Sequence, residues 1–211
     1  MCTERVTLSN VCVCVCVCVM HAHTHTHTHK HTHTHTHTYA RAGRMTFAAL
    51  KQMSLYGKRI AVFGSERPWL EACALAAGAE KVVTIEYSHI ISHHPSIEVL
   101  TPEEAGRRWS NGSLGLFDAV ASFSSLEHAG LGRYGDKLNP WGDIVAVGQA
   151  WCITRGDGLL LLAEPMAEQD VVLWNEARIY GPVMSPHLLA NWEQVWRAPS
   201  TSAAAAEGRG H

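Results

Sequence analysis

The sequence predicts an α/β protein built on a doubly wound, mostly parallel sheet with helices on both faces. Three observations predict it. Short β-rich runs (RIAVF at 59–63, KVVTIE at 81–86, FDAVASF at 117–123, GLLLLA at 158–163) alternate with helical stretches. The last run is apolar enough to be buried on both faces, as a central parallel strand requires. A glycine turn follows the first run, and an acid, Glu86, ends the second.

The elements follow in order. Val11 to Val19 alternates Val and Cys, and His23 to Thr38 alternates His and Thr, broken by Lys30. A strand can alternate in this way. GT/CA dinucleotide repeats also translate to Val-Cys and His-Thr, and such tracts carry no selected fold. Residues 1–44 are therefore expected to be a disordered low-complexity tail with no part in the chemistry. Other readings of this tail are metal capture by its histidines, a short signal-like apolar run after Arg5, and an aggregation-prone β segment.

Met45 to Tyr56 spaces Phe47, Leu50, Met53 and Leu55 for a short leading helix that Gly57 stops. Arg59–Phe63 is the first strand. Pro68 to Ala77 is a helix with proline near its first turn, where a missing N–H costs nothing, and Gly78 closes it. Lys81–Glu86 completes a β-α-β unit, whose crossover is right-handed. Thr101-Pro102-Glu103-Glu104 supplies an N-cap, an N1 proline and a capping-box acid for a helix through Arg108. Phe117–Phe123 is a strand, Pro140–Thr154 a helix and Gly158–Ala163 a strand. Gln169–Trp174, Ala177–Tyr180 and Gln194–Arg197 are expected to add antiparallel edge strands. One domain spans 45–197, and 198–211 is expected to be a disordered tail.

Composition narrows the function. The 211 residues are 46% hydrophobic, enough for a core, and carry a formal charge of −2. No basic field exists to hold a nucleic acid, so none is expected as partner. No apolar run approaches the roughly 18–20 residues that span a bilayer. Of seven cysteines, four lie in the Val-Cys repeat and Cys2 precedes them. Cys73 and Cys152 sit in predicted helices and read as small apolar core residues, which points to a reducing, cytoplasmic location. Oligomeric state is not legible.

Candidate chemistry gathers at the carboxyl ends of the strands, where open α/β sheets bind ligands. Gly64-Ser65-Glu66 forms a turn that lets a nucleoside approach the backbone, and Glu86 can accept both ribose hydroxyl protons. The turn has one glycine where a dinucleotide fingerprint has three, and a strand-end acid is common without any cofactor. The stretch SFSSLEHAGLGRYGDKLNPWGD, from Ser122 to Asp143, leaves the third strand and carries Glu127, His128, Arg133, Tyr134, Asp136, Asn139 and Asp143. Loops on a rigid scaffold concentrate binding residues. His128 can exchange a proton near neutral pH, with Glu127 or Asp136 orienting it. The bland alternative is a connection whose polar residues only cap and turn. Arg178 can grip a carboxylate or phosphate with its fork, or cap the sheet edge. His89, His93 and His94 lack the ligand spacing of a metal site, so no metal is expected.

These pieces together resemble class I methyltransferases dependent on S-adenosylmethionine. The resemblance covers IAVFGSERPWLEACALAAGAEKVVTIEY, FDAVASFSSLEHAGLGRYGD and GDGLLLLAEP. It implies a Rossmann-like fold and S-adenosylmethionine as cofactor, with Gly64, Ser65 and Ser122 beside it and Glu86 on its ribose. It also implies methyl transfer to a small-molecule or glycan-related acceptor. Glu127, His128 and Tyr134 would then be catalytic, with Arg133, Asp136, Asn139, Asp143 and Arg178 binding the acceptor. The run SSLEHAGLGRYGDKLNPWGD with the later RIYGP looks like an uncharacterised Caenorhabditis-type domain-of-unknown-function family, number 268. The first turn departs from the methyltransferase pattern, with Ser65-Glu66-Arg67-Pro68 where Gly-x-Gly is usual. Glu66 at the helix N-terminus occupies the place an anionic ligand would use. The alternatives are a non-catalytic binding domain that keeps the fold without cofactor, and a different nucleotide-using enzyme.

Overall fold

A computed structural model of the chain describes residues 13–19 and 32–197, with side chains from residue 42 onward. The elements run β1 (Val13–Val19), α1 (Thr32–Gln52), β2 (Arg59–Phe63), α2 (Trp69–Ala76), β3 (Lys81–Ile85), β4 (Ile97–Leu100) and α3 (Pro102–Ser110). Then come β5 (Phe117–Phe123), a 3₁₀ turn (Leu126–His128), α4 (Gly142–Ile153), β6 (Thr154–Pro165), β7 (Val171–Leu173), β8 (Ala177–Ile179), α5 (Met184–Leu188) and β9 (Glu193–Arg197).

Seven strands form one sheet in the order β4-β3-β2-β5-β6-β1-β9, and every neighbouring pair is parallel. The chain winds outward from β2 through β3 to β4, then returns to lay β5 on the other side of β2. The winding direction therefore switches between β2 and β5. This is the expected Rossmann-like α/β architecture, and it leaves a crevice at the carboxyl ends of those two strands.

Period-2 alternation assigns the two faces. In β2, Ile60 and Val62 join Leu50, Met53, Leu55, Leu70 and Ala74 in a cluster beneath α1 and α2. Ala61 and Phe63 point the other way, into a cluster with Ala105, Val147, Ala150, Ile153 and Leu188 beneath α3, α4 and α5. Each fully buried Val, Leu, Ile, Phe or Met side chain among these contributes about 1.5–3 kcal/mol. The predicted cap of α3 forms: Thr101 Oγ1 accepts from the Glu104 amide at 3.2 Å, with Pro102 in the first turn.

Four expectations need correction. The Val-Cys repeat was expected to be disordered, yet Val13–Val19 lies between β6 and β9, pairing Val13 with Leu159 and Val19 with Pro165. Val and Cys suit a strand, and β6 offers a free edge of backbone donors and acceptors that a partner strand satisfies. The leading helix starts at Thr32 rather than Met45, because a helix nucleated over its apolar residues extends by one hydrogen bond per residue. β9 is parallel, not antiparallel, and β7 and β8 form a separate antiparallel ribbon instead of a sheet edge. Alternation fixes which face a residue takes but not strand direction, and α5 provides the crossover that a parallel strand needs. Cys73 is a free thiol, whereas Cys152 is disulfide-bonded rather than a plain core thiol. Among the described residues no helix is long and apolar enough to cross a membrane.

Candidate functional site

At the switch point the end of β2 meets the end of β5. Gly64 takes φ +67°, and a Cβ there would lie 1.6 Å from Ser125 Oγ, so only glycine lets the two turns touch. Beside this contact opens a cavity of about 940 Å³. Phe63, Gly64, Tyr87, Trp109, Leu126 and Asn139 are among its lining residues. That is the upper range of small-molecule pockets.

Glu86, at the end of β3, clamps the turns on either side. Its Oε2 accepts from the Ser65 amide at 2.9 Å and its Oε1 from the Ser88 amide at 3.0 Å. A carboxylate has about four lone-pair positions, so both oxygens retain acceptor capacity. Ser65 Oγ lies 2.9 Å from both the Arg67 carbonyl and Glu71 Oε2, which share its single hydrogen. Thr84 Oγ1 donates to Glu71 Oε1 at 2.7 Å. Glu71 is thus a buried acid that ties the first turn to β3. Sequence reasoning missed it, because an acid in a helix normally marks the solvent face. Ser122 is buried and donates to the Phe63 carbonyl at 3.1 Å, joining β5 to β2 from within the sheet. Tyr87 stands at the mouth of the cavity. Partial burial raises its phenol above the ordinary range, with the charges of Asp136 and Glu86 adding to the effect.

A second constellation lies one strand along, at the ends of β5 and β6. Ser124, with φ +46°, turns the chain into the 3₁₀ turn, and its Oγ donates to Glu127 Oε1 at 2.6 Å. Glu127 and Glu164 are 1% and 3% exposed. Glu164 accepts from the Leu126 and Glu127 amides at 3.4 and 3.3 Å. Burial pushes the Glu164 carboxyl well above the usual range, and repulsion from Glu127 and a hydrogen bond to its side chain push it further. Glu127 Oε2 is buried without a hydrogen-bond partner.

His128 Nδ1 contacts the Glu176 carbonyl, an acceptor, which requires a hydrogen on that nitrogen. Its Nε2 lies 3.5 Å from Glu127 Oε1, and its ring meets Tyr134 edge-on at 5.5 Å. The three residues expected to be catalytic are therefore neighbours. Tyr180 donates to Asp143 Oδ2 at 3.0 Å, and burial with the nearby Glu164 and Asp143 raises its phenol.

Arg178 does not present a free fork. Its Nε lies 3.5 Å from Asp143 Oδ2, and its terminal nitrogens donate to the carbonyls of Ala129 (2.7 Å), Pro140 (3.0 Å) and Glu127 (3.3 Å). It fastens the two ends of the connection from β5 to α4. Asp136 organises the interior of that connection, accepting from Gly130 at 2.6 Å, Tyr134 at 3.3 Å and Gly132 at 3.4 Å. Asn139 accepts from the Trp141 amide at 3.0 Å. A Cβ on Gly130 would fall 2.0 Å from the Asn139 carbonyl, so the loop is closed on itself.

Of the expected site residues, Gly64, Asp136 and Asn139 line the cavity, whereas Ser65, Glu86 and Ser122 tie together the strand ends next to Gly64 and Phe63. Glu127 and Asp143 belong to the buried constellation with Arg178. Tyr134 is exposed, and Arg133 stands over its ring at 5.7 Å. Among the described residues no group of three or more His, Cys, Asp or Glu is placed to hold a metal.

No curated protein matches the chain. A family model does match, over residues 57–207, which spans β2 to the end of the described sheet and includes both constellations. The chain belongs to that family, described as Caenorhabditis protein of unknown function, DUF268.

Proposed function

We propose that the chain is a methyltransferase-like protein that binds S-adenosylmethionine in the cavity at the β2/β5 switch point. The acceptor would be a small molecule or a glycan-related compound. One observation carries the reading: the roughly 940 Å³ cavity opens where the winding direction switches, with Glu86 clamping the first turn beside it. The spare lone pairs of Glu86 suit the two ribose hydroxyls. Tyr87 and Trp109 supply aromatic surface for a base, and Gly64 keeps the turn low. The cofactor would bring an electrophilic methyl group on a sulfonium. This chain's own contribution is chiefly positioning, since a bound acceptor must be held in line with that group. Where the acceptor atom carries a proton, His128 Nε2 can take it. The ring is oriented through Nδ1 by the Glu176 carbonyl, and Glu127 lies beside Nε2 to balance the charge.

The second reading is a binding domain that keeps the fold without cofactor. The Ser125 hydroxyl over Gly64 favours it, because it fills the close approach that a ligand would otherwise use. Calorimetric titration of S-adenosylmethionine and S-adenosylhomocysteine into the full chain separates the two. The first reading predicts micromolar binding that Glu86→Ala weakens about tenfold, or about 1.4 kcal/mol. No heat of binding from folded protein would move the assignment to the second.

A further inference from the structure

A separate cavity of about 680 Å³ opens at the carboxyl end of β6. Most of its wall is apolar, supplied by Leu162, Pro182, Pro186, Leu188 and Leu189. Two buried polar residues interrupt that wall, Glu164 and Tyr180. The Tyr180 hydroxyl is already committed to Asp143, so it offers the cavity its ring. Glu164 is different. Two amides fix its carboxyl in place, one on each oxygen, and each oxygen keeps a further lone pair for a ligand.

The 3₁₀ turn is the partition between the two cavities. Leu126 lines the larger one, while the Leu126 amide holds the Glu164 that lines the smaller. Exposed Glu168 and Arg197 stand at the edge of the smaller cavity with opposite charges. Neither sign of ligand charge is selected there, and an ion entering an apolar chamber loses hydration that it does not recover.

We propose that this second cavity binds an uncharged, mostly apolar small molecule carrying one hydroxyl group, which donates its hydrogen bond to Glu164. The site stands independently of the cofactor reading, and either can fail without the other.

The test is calorimetric titration of 1-naphthol into the full chain, with 1-naphthoate and 1-naphthylmethylammonium as charged counterparts. Each is repeated with S-adenosylhomocysteine present. Naphthol should saturate one site, and both charged probes should bind at least about tenfold more weakly. Glu164→Leu, which removes the acceptor, should weaken naphthol about tenfold, or about 1.4 kcal/mol. Glu164→Gln keeps a carbonyl oxygen and should stay within about threefold of wild type. Leu189→Trp, which fills the chamber, should abolish binding while the protein remains folded. Three results would overturn the proposal: no saturable naphthol binding, tighter binding of either charged probe, or unchanged affinity in folded Leu189→Trp. Naphthol binding without S-adenosylhomocysteine binding would keep this site and remove the cofactor reading. The reverse would remove this site alone.

Discussion

Glu71 and Glu127 are both 1% exposed, and both stand at the carboxyl edge of the sheet. They differ in how their oxygens are partnered. Glu71 has a hydroxyl on each, from Ser65 and Thr84, and its role ends with holding the first turn against β3. Glu127 has one oxygen on Ser124 and the other without a donor, facing an acid that shares its burial. Burial alone therefore does not distinguish a structural acid from a chemically available one; the count of satisfied lone pairs does. The β2/β3 end is a finished scaffold around an open cavity. The β5/β6 end is a set of buried ionisable side chains beside a smaller chamber.

The largest effect should come from breaking the ion pair that restrains the second end. Arg178→Met leaves Asp143 buried without its cation and frees three carbonyls. Urea unfolding should show a loss of about 3–5 kcal/mol. A loss under about 1 kcal/mol would mean that Arg178 is not fastening this loop.

A smaller effect probes the contrast itself. In Glu71→Gln the amide turns a donor toward one of two donating hydroxyls, and stability should fall by about 1–3 kcal/mol. In Glu127→Gln the new amide can donate to Glu164 while the oxygen still accepts from Ser124, so the loss should be the lesser of the two. Equal losses would erase the distinction between satisfied and unsatisfied acids.

The subtlest effect is a slope. The folded state holds the Glu164 proton more tightly than the unfolded chain does, so this stabilisation is complete below the ordinary value of 4.5. It is lost as pH rises through the folded titration. Wild type should therefore lose stability relative to Glu164→Gln as pH rises above about 4.5, measured as the difference between two denaturation series. A flat difference would show that burial does not raise the Glu164 carboxyl.

Much of the scaffold was legible in sequence because β2, β3, β5 and β6 are runs whose apolar content matches burial on both faces. β4 was not, since Ile97, Glu98 and Val99 are only partly buried and Glu98 faces Lys81 and Arg108 rather than the core. The direction of β9 was not legible either, because alternation is the same in both directions. At the site, Glu86 could be read from its position after a strand, and the loop from Ser122 to Asp143 from its density of polar residues. The pairing of Glu127 with Glu164 could not be, since the two are brought together by adjacent strand ends and not by any local spacing. Arg178 was legible as a fork but not as an occupied one; its partners are backbone carbonyls, which leave no mark in sequence.

The most direct test of the central claim is a crystal structure of the full chain grown with S-adenosylhomocysteine. The account predicts the ligand in the cavity at the β2/β5 switch point, its ribose hydroxyls on the Glu86 carboxylate and its base near Tyr87 or Trp109. Ligand bound elsewhere, or an empty cavity at saturating concentration with the Ser125 hydroxyl still over Gly64, would contradict it.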